Sequence, residues 1–172
     1  MNYFESNAVL QLSEHPKYSG VAWMDVIFDI DGTLLDISHR LKYIKKTPKD
    51  WKNFRDPDLK KFDEPRSEII SILRALHNAG HTVILAAGRV ESERNVTIST
   101  LLPYIHFIHD LPFFMRSDGD FRKDTVLKES MLYKMKENGY HPVMAFDDRP
   151  SIVRMWRNNG LVVADVGSGK EF

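Results

Sequence analysis

Apolar residues gather in four short runs along the chain, at residues 24–28, 83–87, 143–146 and, more weakly, 161–164. Each of the first three is followed at once by Asp or Gly and then by a candidate helix. Continuous apolar runs of this length are typical of strands that are buried on both faces of a parallel sheet. The pattern therefore predicts buried parallel strands at these positions.

Three segments between or after these runs have the features of helices, at residues 66–79, 123–137 and 150–158. Pro65 and Gly80 flank the first segment, and proline in a first turn and glycine after a last turn are helix boundary signals. Its apolar side chains recur at helical spacing, at Ile69, Ile70, Ile72, Leu73 and Leu76. Strands that alternate with helices predict an α/β fold, a doubly wound parallel sheet in three layers.

Charged residues and glycine follow the apolar runs at the points where the predicted strands end. They are Asp29 and Asp31 after the first run, Gly88 and Arg89 after the second, and Asp147, Asp148 and Arg149 after the third. Singly, an Asp at a strand-to-helix turn more often caps a helix. Because ligands bind at the carboxyl ends of parallel strands, the sequence predicts that the whole set shares one site.

The segment of about residues 37–64 is too long for a plain strand-to-helix connection, which usually takes about 2–6 residues. We expect it to fold as a helical cap over the site. Between residues 40 and 61 it has nine basic residues (Arg40, Lys42, Lys45, Lys46, Lys49, Lys52, Arg55, Lys60, Lys61) and three acidic ones (Asp50, Asp56, Asp58). Tyr43, Trp51 and Phe54 are interleaved with them. This combination fits phosphate attraction and base stacking, and equally a solvated helical face whose aromatic side chains pack inward.

At 172 residues the chain has the length of one domain, which we expect over residues 24–172 after an N-terminal extension of residues 1–23. Its net charge of zero argues against a protein that wraps long duplex DNA. It contains no Cys, which excludes disulfides, thiol nucleophiles and Cys-ligated zinc. The pattern shows neither a signal peptide nor a membrane span, so we expect a cytoplasmic protein.

A carboxylate is ionised at neutral pH and can attack phosphorus directly, provided that a cation offsets the charge of the phosphate. Asp29, Asp147 and Asp148 supply hard oxygen ligands of the kind that Mg²⁺ prefers. If burial and its neighbours raise the pKa of Asp31, this residue can protonate the leaving oxygen and then activate water. Gly32 allows the sharp turn that the pair of aspartates needs.

Several motifs resemble those of a known family. The sequence DIDGT (residues 29–33), directly after an apolar run, resembles the first motif of the haloacid dehalogenase (HAD) superfamily of phosphotransferases. The sequences MRSDGDFRKDTVLKES (residues 115–130) and FDDRPSIVRMWRNNGLVVADVGSG (residues 146–169) are similar to the 3′-phosphatase domain of phage-type polynucleotide kinase-phosphatases. The resemblance covers roughly residues 24–172 and implies a HAD-like fold with a cap after the first strand. Because no P-loop is present, the resemblance implies a phosphatase without the kinase domain.

The resemblance also implies roles for individual residues. Asp29 is the implied nucleophile and Asp31 the implied general acid and base, with its backbone carbonyl on the metal. The remaining implied roles are phosphate neutralisation by Lys128, Mg²⁺ binding by Asp29, Asp31, Asp147 and Asp148, and phosphate binding or support of the site by Gly88, Arg89, Arg116, Asp124 and Arg149.

One position departs from the family pattern. The family has Ser or Thr directly before the Gly-Arg of its second motif, whereas this chain has Ala87 before Gly88 and Arg89. Loss of one transition-state donor costs on the order of 10²–10³ in rate where it matters most. The sequence therefore predicts reduced or compensated activity, and a higher turnover for Ala87→Ser.

These observations support three hypotheses. The leading one is a Mg²⁺-dependent phosphatase that removes 3′-phosphate from DNA or RNA ends in nucleic-acid repair. The second keeps the chemistry but takes a nucleotide or another small phosphomonoester, and the third, motivated by Ala87, is a weakened module that binds phosphorylated ends. The phage-type resemblance implies a bacteriophage source and the host cytoplasm, and we expect no membrane association and no obligate protein partner.

Overall fold

The computed structural model describes residues 23–171, so almost all of the expected N-terminal extension lies outside the described part of the chain. In chain order the main elements are β1 (Asp25–Phe28), β2 (Leu35–Asp36), α1 (Ser38–Lys45), α2 (Trp51–Phe54), α3 (Pro57–Lys60), β3 (Glu64–Pro65), α4 (Ser67–Asn78), β4 (Thr82–Val90), α5 (Arg94–Leu101), β5 (Phe113–Arg116), α6 (Asp124–Glu137), β6 (Pro142–Asp147), α7 (Pro150–Asn158) and β7 (Val162–Asp165). No helix within residues 23–171 combines the length and the apolar character that a membrane crossing requires.

Five strands form one sheet in the order β5-β4-β1-β6-β7, and all neighbouring pairs are parallel. One face of the sheet packs through an apolar cluster against α4 and α5, with Leu73 and Leu101 as buried contacts. The other face packs against α6 and α7, with Met131 and Trp156 among the buried residues. The predicted doubly wound α/β sheet in three layers is confirmed. Its order places β1 at the centre, between β4 and β6, so their carboxyl ends are adjacent.

The predicted strands and helices recur with shifted ends, and further elements, among them β2, β3, β5 and α5, are additional. The apolar run at residues 83–87 predicts a strand that ends before Gly88, but β4 continues to Val90 because the edge strand β5 pairs with it as far as Arg116. Neither β5 nor α5 is predicted by the apolar pattern. Four residues are a weak signal for a strand, and the sequence of α5, RNVTISTL, has little amphipathic character.

The segment expected to form the cap lies between β2 and β3, which pair as a short antiparallel ribbon. This ribbon brings the two ends of the segment together, with Leu35 opposite Pro65 and Asp36 opposite Glu64. The segment contains the helices α1, α2 and α3. Its backbone therefore leaves the α/β layers after β1 and returns to them directly before α4.

Candidate active site

The turn after β1 holds Asp29 against the neighbouring strand β6. The Asp29 backbone N–H donates to the Phe146 carbonyl at 3.1 Å, which continues the ladder between the two strands. Gly32 has a φ of +88°, and a Cβ at this position would lie 2.0 Å from the Asp148 Oδ2 atom. Glycine is therefore required for the turn and for the approach of the Asp148 carboxylate.

Lys128 joins the carboxylates that end β1 and β6. Its Nζ donates to Asp29 Oδ1 at 2.6 Å and to Asp147 Oδ2 at 2.7 Å, and Trp156 Nε1 donates to the same Asp147 oxygen at 3.1 Å. Lys128 belongs to the buried side of α6, where Met131 is one turn away, so the helix directs this lysine into the protein. The role that the resemblance assigned to Lys128 thus has a matching geometry.

Asp29, Asp147 and Asp148 form the acidic cluster that could hold a metal ion, with one oxygen from each lying within 4.8 Å of the others. Burial, followed by the charges of Asp147 and Asp148, raises the pKa of Asp29 well above its usual range, although Lys128 opposes the shift. Burial and the charge of Asp147 raise the pKa of Asp148 to about 7. One ammonium group does not balance three carboxylates, and their hard oxygen atoms fit Mg²⁺.

Asp31 lies in a different electrostatic environment from Asp29. Its Oδ1 accepts from Arg40 Nη2 at 2.7 Å and from Arg89, by both Nε at 3.0 Å and Nη2. Burial alone would raise the pKa of Asp31, but the guanidinium groups of Arg89 and Arg40 outweigh it and hold the pKa well below its usual range. The condition set for the acid and base role of Asp31, a raised pKa, is therefore not met in this arrangement, because two arginines that the sequence does not bring together converge on the carboxylate.

Asp63, which the sequence analysis did not consider, completes this ion-pair network. It accepts from Arg40 Nε at 2.7 Å and Nη2 at 2.9 Å and from Arg89 Nη2 at 2.5 Å, and its Oδ1 lies 2.9 Å from His39 Nε2. Arg40 is fully buried, although in the sequence it was only one of nine basic cap residues. No spacing signal separates it from the others, since its partners come from distant parts of the chain.

A second buried ion pair crosses from the cap to the sheet. Lys60, on α3, donates from Nζ to the Glu93 carboxylate directly after β4, and the other oxygen of Glu93 accepts from the Val90 N–H at 3.1 Å. Both side chains are almost completely shielded from solvent. The sequence gives no signal for this pair either.

The remaining predicted site residues separate into two groups. Gly88, Asp124 and Arg149 line the same cleft as the acidic cluster, and Arg149 Nη1 binds Asp124 at 2.7 Å. Arg116 does not line it. Its guanidinium group lies behind Asp124, where it donates to that carboxylate and to the Gly88, Asp120 and Arg122 carbonyls at 2.9–3.1 Å. Of the two roles that the resemblance implies for Arg116, phosphate binding or support of the site, the geometry favours support.

Ala87 does not line the cleft, although it replaces a Ser or Thr that the family pattern places beside the phosphoryl group. It is 1% exposed and packs in the apolar cluster on the α4 and α5 face of the sheet, with Phe28 and Ile30 of the neighbouring chain segment. Gly88 and Arg89 line the cleft, and Ala87 does not. A hydroxyl group at position 87 would therefore face apolar neighbours.

The cleft lies between the ends of β1, β4 and β6 and the cap, and it is open to solvent. The residues that line it include the acidic cluster, Lys128 and Asp31 from the sheet side and Ile37, Arg40, Trp51, Phe54, Arg55 and Lys60 from the cap side. The cleft therefore combines carboxylates, cations and aromatic rings in one space.

Comparison with known proteins shows what the chain is similar to. A family model described as "Polynucleotide kinase PNKP phosphatase domain" matches residues 24–171. A viral protein named as a bifunctional polynucleotide kinase/RNA ligase, from Autographa californica nuclear polyhedrosis virus, is 31% identical over 97 residues. This match includes 56% of the chain and 14% of the viral protein.

Solved structures give two further similarities. A chain in the structure of a Pnkp1/Rnl/Hen1 complex has a TM-score of 0.68 and 27% identity, over 87% of this chain and 48% of that one. A hydrolase from Streptococcus pneumoniae TIGR4 has a TM-score of 0.55 and 15% identity, over 84% of this chain and 92% of that one, and shares the fold. The present chain thus spans about half of the first structure's chain and a small part of the viral protein.

Proposed function

Because the chain belongs to the family of polynucleotide kinase PNKP phosphatase domains, we propose that it removes 3′-phosphate groups from DNA or RNA ends with the help of Mg²⁺. This membership confirms the resemblance that the motifs indicated. The general activity, that of a HAD-type phosphatase, follows from membership of this family. The polynucleotide substrate is the proposal, supported by the names of the relatives and by the basic, aromatic cap.

The observation that carries the proposal is the bridge from Lys128 to Asp29 and Asp147 at the floor of the cleft. A carboxylate in this place can attack a phosphorus atom, while the ammonium group offsets the negative charge of the phosphoryl oxygens. Burial lowers the effective dielectric constant and strengthens this interaction. The arrangement therefore suits phosphoryl transfer to Asp29.

In the proposed first step, an Asp29 oxygen forms a bond to phosphorus as the bond to the 3′-oxygen breaks, and the leaving oxygen takes a proton from Asp31. In the second step Asp31 takes a proton from water, whose oxygen attacks phosphorus and releases Asp29 and inorganic phosphate. Arg89 and Arg40 hold Asp31 ionised in the structure. A phosphoryl group bound in the cleft offers Arg89 a second anion. As Arg89 moves from Asp31 to that anion, Asp31 takes up a proton from solvent, and this is the proton that the leaving oxygen receives.

Mg²⁺ would be held by Asp29, Asp148 and the Asp31 backbone carbonyl, where it would neutralise charge on the carboxylates and the phosphate. Asp148 suits direct contact better than Asp147, because Asp147 Oδ2 accepts from both Lys128 and Trp156. The Asp148 carboxylate instead lies against Gly32, beside the nucleophile turn. Asp147 then serves to position Lys128.

Phosphate release with and without Mg²⁺ tests the proposal, with matched oligonucleotides that have a 3′-phosphate or a 5′-phosphate, in DNA and RNA forms, and with mononucleotides. We expect Mg²⁺-dependent release from 3′-phosphorylated ends, and only background release by Asp29→Asn. Asp110→Asn, which alters an exposed carboxylate outside the cleft, is the control.

Preference for mononucleotides would contradict the end-processing function and favour the small-molecule alternative. If no substrate releases phosphate although oligonucleotides bind, the chain is an end-binding module. RNA ends belong in the comparison because a second similar chain, 26% identical with a TM-score of 0.69, comes from the structure of a Pnkp1/Rnl/Hen1 RNA repair complex.

A further inference from the structure

The aromatic residues of the cap occupy different positions relative to the cleft. Trp51 and Phe54, at the two ends of the short helix α2, both line it. The Phe54 ring is covered by the Arg40 guanidinium group, whose Cζ lies 4.8 Å from the ring centroid. Trp51 remains 44% exposed, so its indole is the large aromatic surface that the cleft offers to a ligand.

Neighbouring side chains hold the Trp51 ring in position. Phe54 contacts it edge-on, with the ring centroids 5.9 Å apart and the planes at 82°. The Arg55 Cζ and the Lys49 Nζ lie over the indole, 5.3 Å and 5.4 Å from its centroid, so a base that stacks on the ring displaces one of these two side chains. An exposed aromatic ring flanked by cations is the combination with which proteins bind single-stranded nucleic acid, by stacking on bases and attracting phosphates.

The alternative, that Trp51 serves only to pack the small cap, does not explain its exposure. A packing residue buries its ring, as Trp156 does in the α6 and α7 face of the sheet, where it is fully buried. Ile37 and Ile44 already provide buried apolar packing under the cap. Unlike the exposed Phe62, Trp51 lies in the same cleft as Asp29, where a ligand held at Asp29 can reach it.

We propose that Trp51 is the platform on which the terminal base of a 3′-phosphorylated end stacks, with Phe54 bracing the indole and Arg55 beside the adjoining backbone phosphate. This inference rests on the proposed function, because the phosphate must lie at Asp29 and Lys128. Since every base has a π-face, the platform accepts all four bases and discriminates against ends that lack a base.

The test compares a short oligonucleotide with a 3′-phosphate to one whose 3′-terminal residue is abasic. For Trp51→Ala we expect KM to rise about tenfold on the base-bearing end with little change in kcat, since stacking contributes roughly 1–3 kcal/mol per base. With the abasic end as substrate, the KM of Trp51→Ala should differ little from that of the wild type. Trp51→Phe should retain most of the affinity, and Phe62→Ala, which alters a 69% exposed cap residue outside the cleft lining, is the matched control.

An equal loss on both ends would overturn the platform, because it would show that Trp51 supports the cap or the phosphate site. If wild-type protein releases no 3′-phosphate, the proposed function fails. The platform can still be tested by binding: the dissociation constants of the same two oligonucleotides are measured for Asp29→Asn and for the double variant Asp29→Asn, Trp51→Ala. If both proteins bind the base-bearing end with the same dissociation constant, Trp51 is not a stacking platform.

Discussion

At the scale of single residues, Ala87 shows how position changes the meaning of a substitution. The sequence places it where relatives have a hydroxyl donor, but in the structure it faces the apolar cluster beside Phe28 and Ile30. Arg89 and Lys128 line the cleft, where under the proposed function they would supply cationic donors to a phosphoryl group. The absence of a hydroxyl group at position 87 therefore gives little support to a weakened enzyme.

We accordingly expect Ala87→Ser to lower stability without raising turnover. A buried hydroxyl group without a partner costs on the order of 1–3 kcal/mol, which corresponds to a few degrees in melting temperature for a chain of this length. Thermal unfolding and steady-state phosphate release measure the two effects. Ala86→Ser is the matched control, since Ala86 is buried in the cluster on the opposite face. A higher turnover for Ala87→Ser alone would show that the hydroxyl group reaches the phosphoryl group.

At the scale of elements, buried ion pairs attach the cap to the sheet. Lys60 of α3 binds Glu93 after β4, and Asp63, directly before β3, binds Arg89 of β4. The β2 and β3 ribbon joins the ends of the segment, but these pairs determine how its middle lies over the cleft. Removal of one partner of a buried pair leaves an uncompensated charge, so each pair resists displacement of the cap.

We expect Lys60→Met to destabilise the protein by about 3 kcal/mol, because Glu93 then stays buried without an ammonium partner. Amide hydrogen exchange should accelerate in α1 to α3 but not in β1 or β6. Lys61→Met is the matched control: Lys61 pairs with Asp58 at the surface, and such pairs contribute about 0–1 kcal/mol. Unchanged exchange in the cap helices would show that Lys60 does not attach the cap.

At the scale of the whole molecule, the site concentrates negative charge in a chain whose net charge is zero. Asp29, Asp147 and Asp148 come from the ends of two different strands, so only the folded protein brings them together. A ligand that binds the folded state and not the unfolded chain stabilises the protein by mass action. Mg²⁺ bound at this cluster, as proposed, would therefore stabilise the whole folded chain.

We predict that Mg²⁺ at about a hundred times its dissociation constant stabilises the fold by roughly 2.7 kcal/mol, seen as a higher melting temperature. Asp148→Asn should lose this gain, yet without Mg²⁺ it should melt no lower than wild type, since Asn relieves the repulsion from Asp147. Asp110→Asn should respond to Mg²⁺ like wild type. A full Mg²⁺ response in Asp148→Asn would exclude Asp148 as a ligand.

The sequence by itself determined the layered sheet and the convergence of Asp29, Asp31, Arg89 and the Asp147-Asp148 pair. Apolar runs mark buried strands, and parallel strands direct the residues that follow them to one edge. Lys128 needed the family resemblance, because a lysine in a helix has no pattern of its own.

Only the tertiary structure decided the surroundings of these residues. It brought Arg89 and Arg40 onto the Asp31 carboxylate, where their charges lower its pKa, so the rise that a general acid needs is absent. It also placed Ala87 away from the cleft and Trp51 within it. The reason is physical: burial, pairing of charges and the direction of a side chain depend on neighbours that are distant in sequence. Local pattern therefore predicts which chemistry is present, and packing determines how each group is used.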